Sequence, residues 1–276
     1  MRNRFVGLFL SVVFAISANA AEPSPAGYER VLLPVYAPTV RIGAYGSLWM
    51  TELFVRNDSS APAQIFEFEC AFFCTCVGTE CEPPGGTPPG GYYTPVTSPN
   101  VIDLANVGLL LYIDRRLSAD VVVNLRVRDV SRHAESFGTE VPVVREQSFH
   151  TTNPLRLLGI PVTTGYRQHL RLYGISSRSG QGHVRVQVFD QRDEEMLAES
   201  FVTLIPSVGA QINPDHERYG YPAYAEIPLL ASLLPATFDG DRIRIQVASV
   251  SEGLTFWGMV SVTNNVTQQV TLVTPQ

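Results

Sequence analysis

Four cysteines, Cys70, Cys74, Cys76 and Cys81, fall within a stretch of twelve residues and form the densest cluster of reactive side chains in the chain. Two chemistries use four thiols at this range: a pair of disulfides, or a tetrahedral zinc site. Zinc favours paired Cys-x-x-Cys knuckles, which are missing here, and an exported chain meets an oxidising environment, so disulfides are expected. Four cysteines allow three pairings. A Cys74–Cys76 bridge would close a strained small ring. That leaves Cys70–Cys76 with Cys74–Cys81, or Cys70–Cys74 with Cys76–Cys81, and either staples one local loop. No metal and no cofactor is implied.

Histidines are few. His169 and His183 are placed on adjacent strands, both pointing away from Leu170, Leu172, Val184 and Val186. Arg167, Arg171 and Arg185 share that outward side, which makes either a cationic strip suited to an acidic glycan or an ordinary solvated sheet face. His133, His150 and His216 read as loop residues with no ligand spacing between them. Tyr92-Tyr93 and Tyr219 to Tyr224 set tyrosines among Gly and Pro in two loops, where they could stack on sugar rings or pin the loops down. Gly174-Ile175-Ser176-Ser177-Arg178 lacks the closing glycine of a nucleophile elbow. Asp190, Asp193, Glu194 and Glu195 crowd a hairpin tip, and solvated turn carboxylates are commoner there than a calcium site.

Composition removes further chemistry. All 20 basic residues are arginine, so no lysine exists for a Schiff base, a phosphate loop or a Ser-Lys hydrolase. Charged residues make up 17% of the chain and the net charge is −6, which argues against nucleic acid as a partner. Residues 1–20 read as a cleaved signal peptide. Arg2 and Arg4 give the positive start, Phe5 to Ile16 the apolar run, and Ala18-Asn19-Ala20 the small-x-small site. That apolar run is short for a membrane span, and no later stretch is long enough. The protein is expected to be secreted or periplasmic.

The elements that must position these residues are strands. Val31 to Tyr36 is an edge strand carrying Pro34. A turn at Gly43 to Ser47 leads into a strand from Leu48 to Arg56. In Ala63 to Cys70, Phe66, Phe68 and Cys70 share one face, and Ile65, Glu67 and Glu69 the other. Residues 71–100 hold the cysteines and two Pro-Pro-Gly-Gly runs, a composition that resists regular packing. Ile102 to Val107 is read as a short helical turn, Gly108 to Ile113 as a buried strand, and Asp120 to Val130 as a long alternating one. Thr139 to Arg145 adds a strand.

The order then repeats. Leu155 to Val162 leads in, and Tyr166 to Tyr173 matches Trp49 to Arg56. His183 to Asp190 alternates and Met196 to Ile205 returns. Ile227 to Leu234 mirrors the helical turn, Arg242 to Val250 and Thr255 to Asn264 mirror the long strands, and Gln268 to Thr274 closes the chain. Short alternating strands separated by turn signals predict an all-β chain of two tandem antiparallel β-sandwich (immunoglobulin-like) domains. These span 28–146 and 154–276, with a boundary near Glu146 to Pro154. Trp49 and Tyr166 are expected to anchor the two cores, at a cost of about 3–5 kcal/mol if Trp49 is truncated.

The motif Gly43, Gly46, Ser47, Trp49, Thr51 and Leu53, closed by Asn57, resembles a group of secreted bacterial proteins built from paired β-sandwich repeats. In the second copy Tyr166 replaces the tryptophan and the Gly-Ser turn is lost. The resemblance implies the fold and names no activity. The expected function is a secreted, non-enzymatic interaction module at the cell surface or outside the cell, with a protein or glycan partner. Weighed against it are a carbohydrate-binding or adhesive protein using Tyr92, Tyr93, Arg167, His169, Arg171 and Arg185, and a hydrolase with a dispersed site. A periplasmic pilus chaperone ranks last, since its Arg–Lys anchor pair needs a lysine.

Overall fold

A computed structural model of the protein describes residues 27–37, 39–67, 86–95, 108–131, 137–176, 182–206, 221–228 and 230–276. The signal segment 1–20, the cysteines, and the helical turn at Ile102 to Val107 lie outside the described residues. Every described element is a strand or a 3₁₀ turn, and the named strands pair antiparallel. The chain is all-β and sandwich-like.

The first half supplies β1 (Tyr28–Leu33), β2 (Arg41–Ile42), β3 (Leu48–Asn57), β4 (Ile65–Glu67) and β5 (Tyr92–Tyr93). It continues with β6 (Leu109–Asp114), β7 (Val121–Asp129), β8 (Thr139–Val141) and β9 (Val144–Arg145). The second half supplies β10 (Leu155–Pro161), β11 (Tyr166–Ser176), β12 (Gly182–Asp190) and β13 (Met196–Pro206). It ends with β14 (Tyr221–Pro228), β15 (Arg242–Ser249), β16 (Leu254–Asn264) and β17 (Val270–Val273).

The pairing repeats strand for strand. β1 pairs β6 as β10 pairs β15, and β4 pairs β6 as β12 pairs β15. β3 pairs β7 as β11 pairs β16, with β5 and β14 on one flank and β8 and β17 on the other. In the second half the two sheets join at a corner, where Ile205 and Pro206 of β13 pair with Tyr224 and Ala223 of β14. One eight-stranded sheet, ordered β10-β15-β12-β13-β14-β11-β16-β17, thereby folds over its own core.

Three cores separate four sheet layers. Val31, Leu33, Leu109, Leu111 and Ile113 face Val55, Val121, Leu125 and Val141 inside the first half. Leu170, Leu172, Phe256 and Val260 face Val184, Val186, Ile243 and Ile245 inside the second. The third core lies between the halves: Leu32, Phe66, Leu110, Tyr112 and Val144 pack on Tyr173, Ile175, Trp257 and Met259. Each such side chain is worth about 1.5–3 kcal/mol of burial free energy, so the halves form one packed body. This second contact explains why all six residues of β6, and the Leu254–Val260 run of β16, are buried. A strand covered on both faces reads as a continuous apolar run, as Leu109 to Ile113 does.

Two expectations change here. Ile65 and Phe66 are expected on opposite faces of a half-buried strand, and both are buried, Ile65 in the first core and Phe66 in the third. Trp49 lies outside every core and is half-buried, while its counterpart Tyr166 is 38% exposed. The indole braces the turn in front of its strand instead. Its Nε1 donates to the Ser47 hydroxyl at 2.8 Å, and a Cβ on Gly43 would fall 2.5 Å from its ring. Gly46 takes a left-handed φ of 74°, open to glycine at little cost.

The remaining motif residues hold backbone. The Thr51 hydroxyl accepts from the Ala37 N–H at 2.8 Å. Asn57, fully buried, donates to the carbonyls of Ala61 and Thr87, both at 2.8 Å, and accepts from the Ser59 N–H. The motif is a set of local braces.

Candidate binding surfaces

The proposed cationic strip divides between two layers. β11 lies between β14 and β16, whereas β12 lies between β13 and β15, so His169 and His183 are on different layers of the folded sheet, on opposite sides of the second core. Arg185 sits on the β12 layer, 4.0 Å from Glu199, apart from Arg167 and Arg171. The outward face of β11 also runs on through Tyr173 and Ile175 into the third core. It is therefore partly an internal face.

The polar side chains along β11 are partnered. Arg167 donates to Asn265 Oδ1 at 3.0 Å and Gln268 Oε1 at 2.9 Å, bracing the β16–β17 turn. Arg171 and Glu226 are cross-strand partners, and His169 Nδ1 lies 2.6 Å from Glu226 Oε1. Tyr224 donates its hydroxyl to Glu226 Oε2 at 2.6 Å and accepts from Arg171 Nη1 at 3.3 Å. The His169 hydrogen bond, helped by the Arg171 charge and Tyr224, outweighs burial and lowers the Glu226 carboxyl to about 2. Burial raises the Tyr173 phenol to about 12 and pushes Tyr224 up as well. This cluster seals the rim of the third core and presents no uncompensated positive field.

Tyr224 reads in the sequence as a loop tyrosine and Glu226 is not among the sequence candidates, whereas both stand on β14. The overlooked signal is the alternation of Tyr224 and Glu226 with Ala223, Ala225 and Ile227, which marks a half-buried strand even with small side chains.

At the hairpin, Asp190 is held by arginine. Asp190 accepts from the Arg192 N–H at 2.8 Å and pairs with its guanidinium at 2.7 Å, and Arg192 also reaches Asp239. Asp114 and Arg116 repeat this Asp-x-Arg turn in the first half. In both turns the arginine hydrogen bonds hold the carboxyl below the usual aspartate range.

The two tyrosines at 92 and 93 separate. Together they form β5, a short strand on the edge of β3, inside a stretch expected to be irregular. Tyr93 packs against the first core. Tyr92 is 61% exposed and meets Phe54, 44% exposed, edge to face with ring centroids 5.2 Å apart. Tyr92 and Val122 both stand opposite Arg56, and Val122 is 45% exposed. Asn124 stands opposite Phe54 on β7 and Glu52 opposite Arg126. The outer face of the β5-β3-β7 sheet thus carries an aromatic pair ringed by amide and charged groups. Phe54 was missed because, within an alternating strand, an outward apolar residue looks no different from a tolerated one.

A cleft of about 510 Å³ opens where the halves join, between β9, the segment 146–153, and the end of β17. Glu146 anchors the start of that segment through Arg30 at 2.8 Å and Arg115 at 2.5 Å. His150, read as a loop residue, lies in this wall. Its backbone pairs with Phe256, and burial lowers its imidazole pKa.

Cys70, Cys74, Cys76, Cys81, His133, Ser177, Arg178 and His216 lie outside the described residues. Among the described residues, no helix is long and apolar enough to cross a membrane. No protein family and no curated protein matches the chain. Among solved structures it is similar to the infectious bursal disease virus VP2 subviral particle, at 10% identity over 90% of this chain and 71% of that one. The TM-score is 0.22, and a likeness at that level carries no argument about fold or function.

Proposed function

We propose that the protein is exported and works as a non-enzymatic interaction module of two β-sandwich domains with immunoglobulin-like layering, 28–146 and 154–276. The repeated strand pairing and the separate core in each half support that division. Export to the periplasm, the surface or the medium follows from the signal-like start, and two disulfides among Cys70, Cys74, Cys76 and Cys81 suit that route.

The observation that carries the interaction reading is the Phe54–Tyr92 pair. Contiguous exposed apolar side chains mark interaction sites, and here the two rings adjoin Val122, Arg56 and Asn124 on one sheet face. A glycan is favoured over a protein partner by this same mixture of ring faces with amide and charged donors. The non-enzymatic reading is supported by the commitment of Asp190 to Arg192, and of Glu226 to His169 and Tyr224.

A glycan array probed with the mature protein and with a Phe54→Ser/Tyr92→Ser double variant tests this. Binding by the parent that drops at least tenfold in the variant, at an unchanged thermal midpoint, is expected. A parent that binds no glycan, or a variant that binds as well, would overturn the assignment of that face.

A further inference from the structure

The cleft at the junction of the halves has a lining that is chemically specific. Among the described residues its walls contain no acidic, arginine or lysine side chain. Gln147 and Asn153 supply amides, Ser148 a hydroxyl, and Phe149 and Trp257 apolar surface. The one titratable ring, His150, is kept toward its neutral form by burial. The volume, about 510 Å³, lies inside the range of about 300–1,000 Å³ usual for small-molecule sites, which favour domain junctions.

We propose that this cleft binds a neutral, polyhydroxylated small molecule, a mono- or disaccharide. A charged ligand entering it would give up hydration without a charged side chain among the described walls to offset the loss. A purely apolar ligand would bury the amides and the Ser148 hydroxyl unpaired. A neutral sugar meets both demands, setting its C–H face on half-buried Phe149, beside the edge of Trp257 that the core leaves exposed, and its hydroxyls on Gln147, Ser148 and Asn153. The cleft draws on β9, the connecting segment and β16–β17, so it exists only when the third core is formed. The site is separate from the Phe54–Tyr92 face.

Saturation-transfer NMR and calorimetry on the full mature chain, with glucose, N-acetylglucosamine, maltose and cellobiose set against glucuronate and glucosamine, test the proposal. At least one neutral sugar is expected to bind with a dissociation constant of about 1 mM or tighter. It should outbind its charged analogue, and weaken about tenfold or more in a Gln147→Ala/Asn153→Ala variant whose thermal midpoint is unchanged. Both substituted residues are exposed, so folding should survive the change. No neutral sugar binding at that level, equal binding of the charged analogues, or full binding by the variant would overturn it. The Phe54→Ser/Tyr92→Ser variant should bind the small sugar as the parent does, which keeps this test independent of the sheet-face one.

Discussion

The indole of Trp49 occupies the space that a side chain on Gly43 would need, with its ring 2.5 Å from where the Cβ would stand. Glycine at 43 and tryptophan at 49 are therefore one device. The Ser47 hydroxyl fastens it through the indole N–H.

Gly43→Ala should destabilise the protein by about 1–3 kcal/mol through overpacking. Trp49→Ala, half-buried and outside the cores, should cost less than the 3–5 kcal/mol of a core aromatic. In the double variant the two costs should sum to less than their total, because removing the ring takes away one of the two groups a Cβ at 43 would meet and releases the other, the Ser47 hydroxyl, from its indole donor so that it can turn aside. Urea unfolding of the four proteins in a double-mutant cycle measures the coupling.

Asn57 should tolerate neither alanine nor aspartate. Asn57→Ala leaves the Ala61 and Thr87 carbonyls without their donor, at about 1–3 kcal/mol. Asn57→Asp sets a carboxylate against the same two carbonyls and should cost more. Chemical denaturation at pH 7 gives the order.

The third core should make the parent melt in a single calorimetric transition. Trp257→Ala should lower stability by about 3–5 kcal/mol. A Leu110→Asp/Met259→Asp variant, which places two carboxylates between the halves, should separate the trace into two transitions. Two resolved transitions in the parent would mean that the halves unfold independently.

Glu226 predicts an acid-labile increment of stability. Its carboxyl is lowered from 4.5 to about 2 in the folded protein. The unfolded chain therefore takes up a proton first, so the increment is fully present above about pH 5 and fades as pH falls toward 2. At about 1.4 kcal/mol per unit it amounts to roughly 3 kcal/mol. Glu226→Gln should flatten the pH dependence of the melting temperature across that window. It should also lower stability at pH 7, because Arg171 loses its carboxylate partner.

Much of the architecture is legible in the residues themselves. Alternation of apolar and polar side chains marks β7, β12 and β15, and the unbroken run of β6 marks a strand buried on both faces. The echo of Trp49–Arg56 in Tyr166–Tyr173 announces a repeat, and the strand pairing follows it. These properties are local: a period of two, and the residue types that start and stop a strand, act within a few positions.

What only the tertiary structure decides is which strands meet and what lies on each outer face. Alternation says that Arg171 and Tyr173 share a side of β11. It cannot say that one end of that side is wet and the other packs under Leu32 and Tyr112 of the first half. Nor can it say that β14 inserts beside β11, bringing Glu226 to His169 and Arg171, while β12 goes to the opposite layer with Arg185. Those outcomes depend on contacts between residues far apart in the chain, chosen by the burial of whole faces at once. A single strand's pattern records that it has a face to bury, and the partner is settled by the rest of the fold.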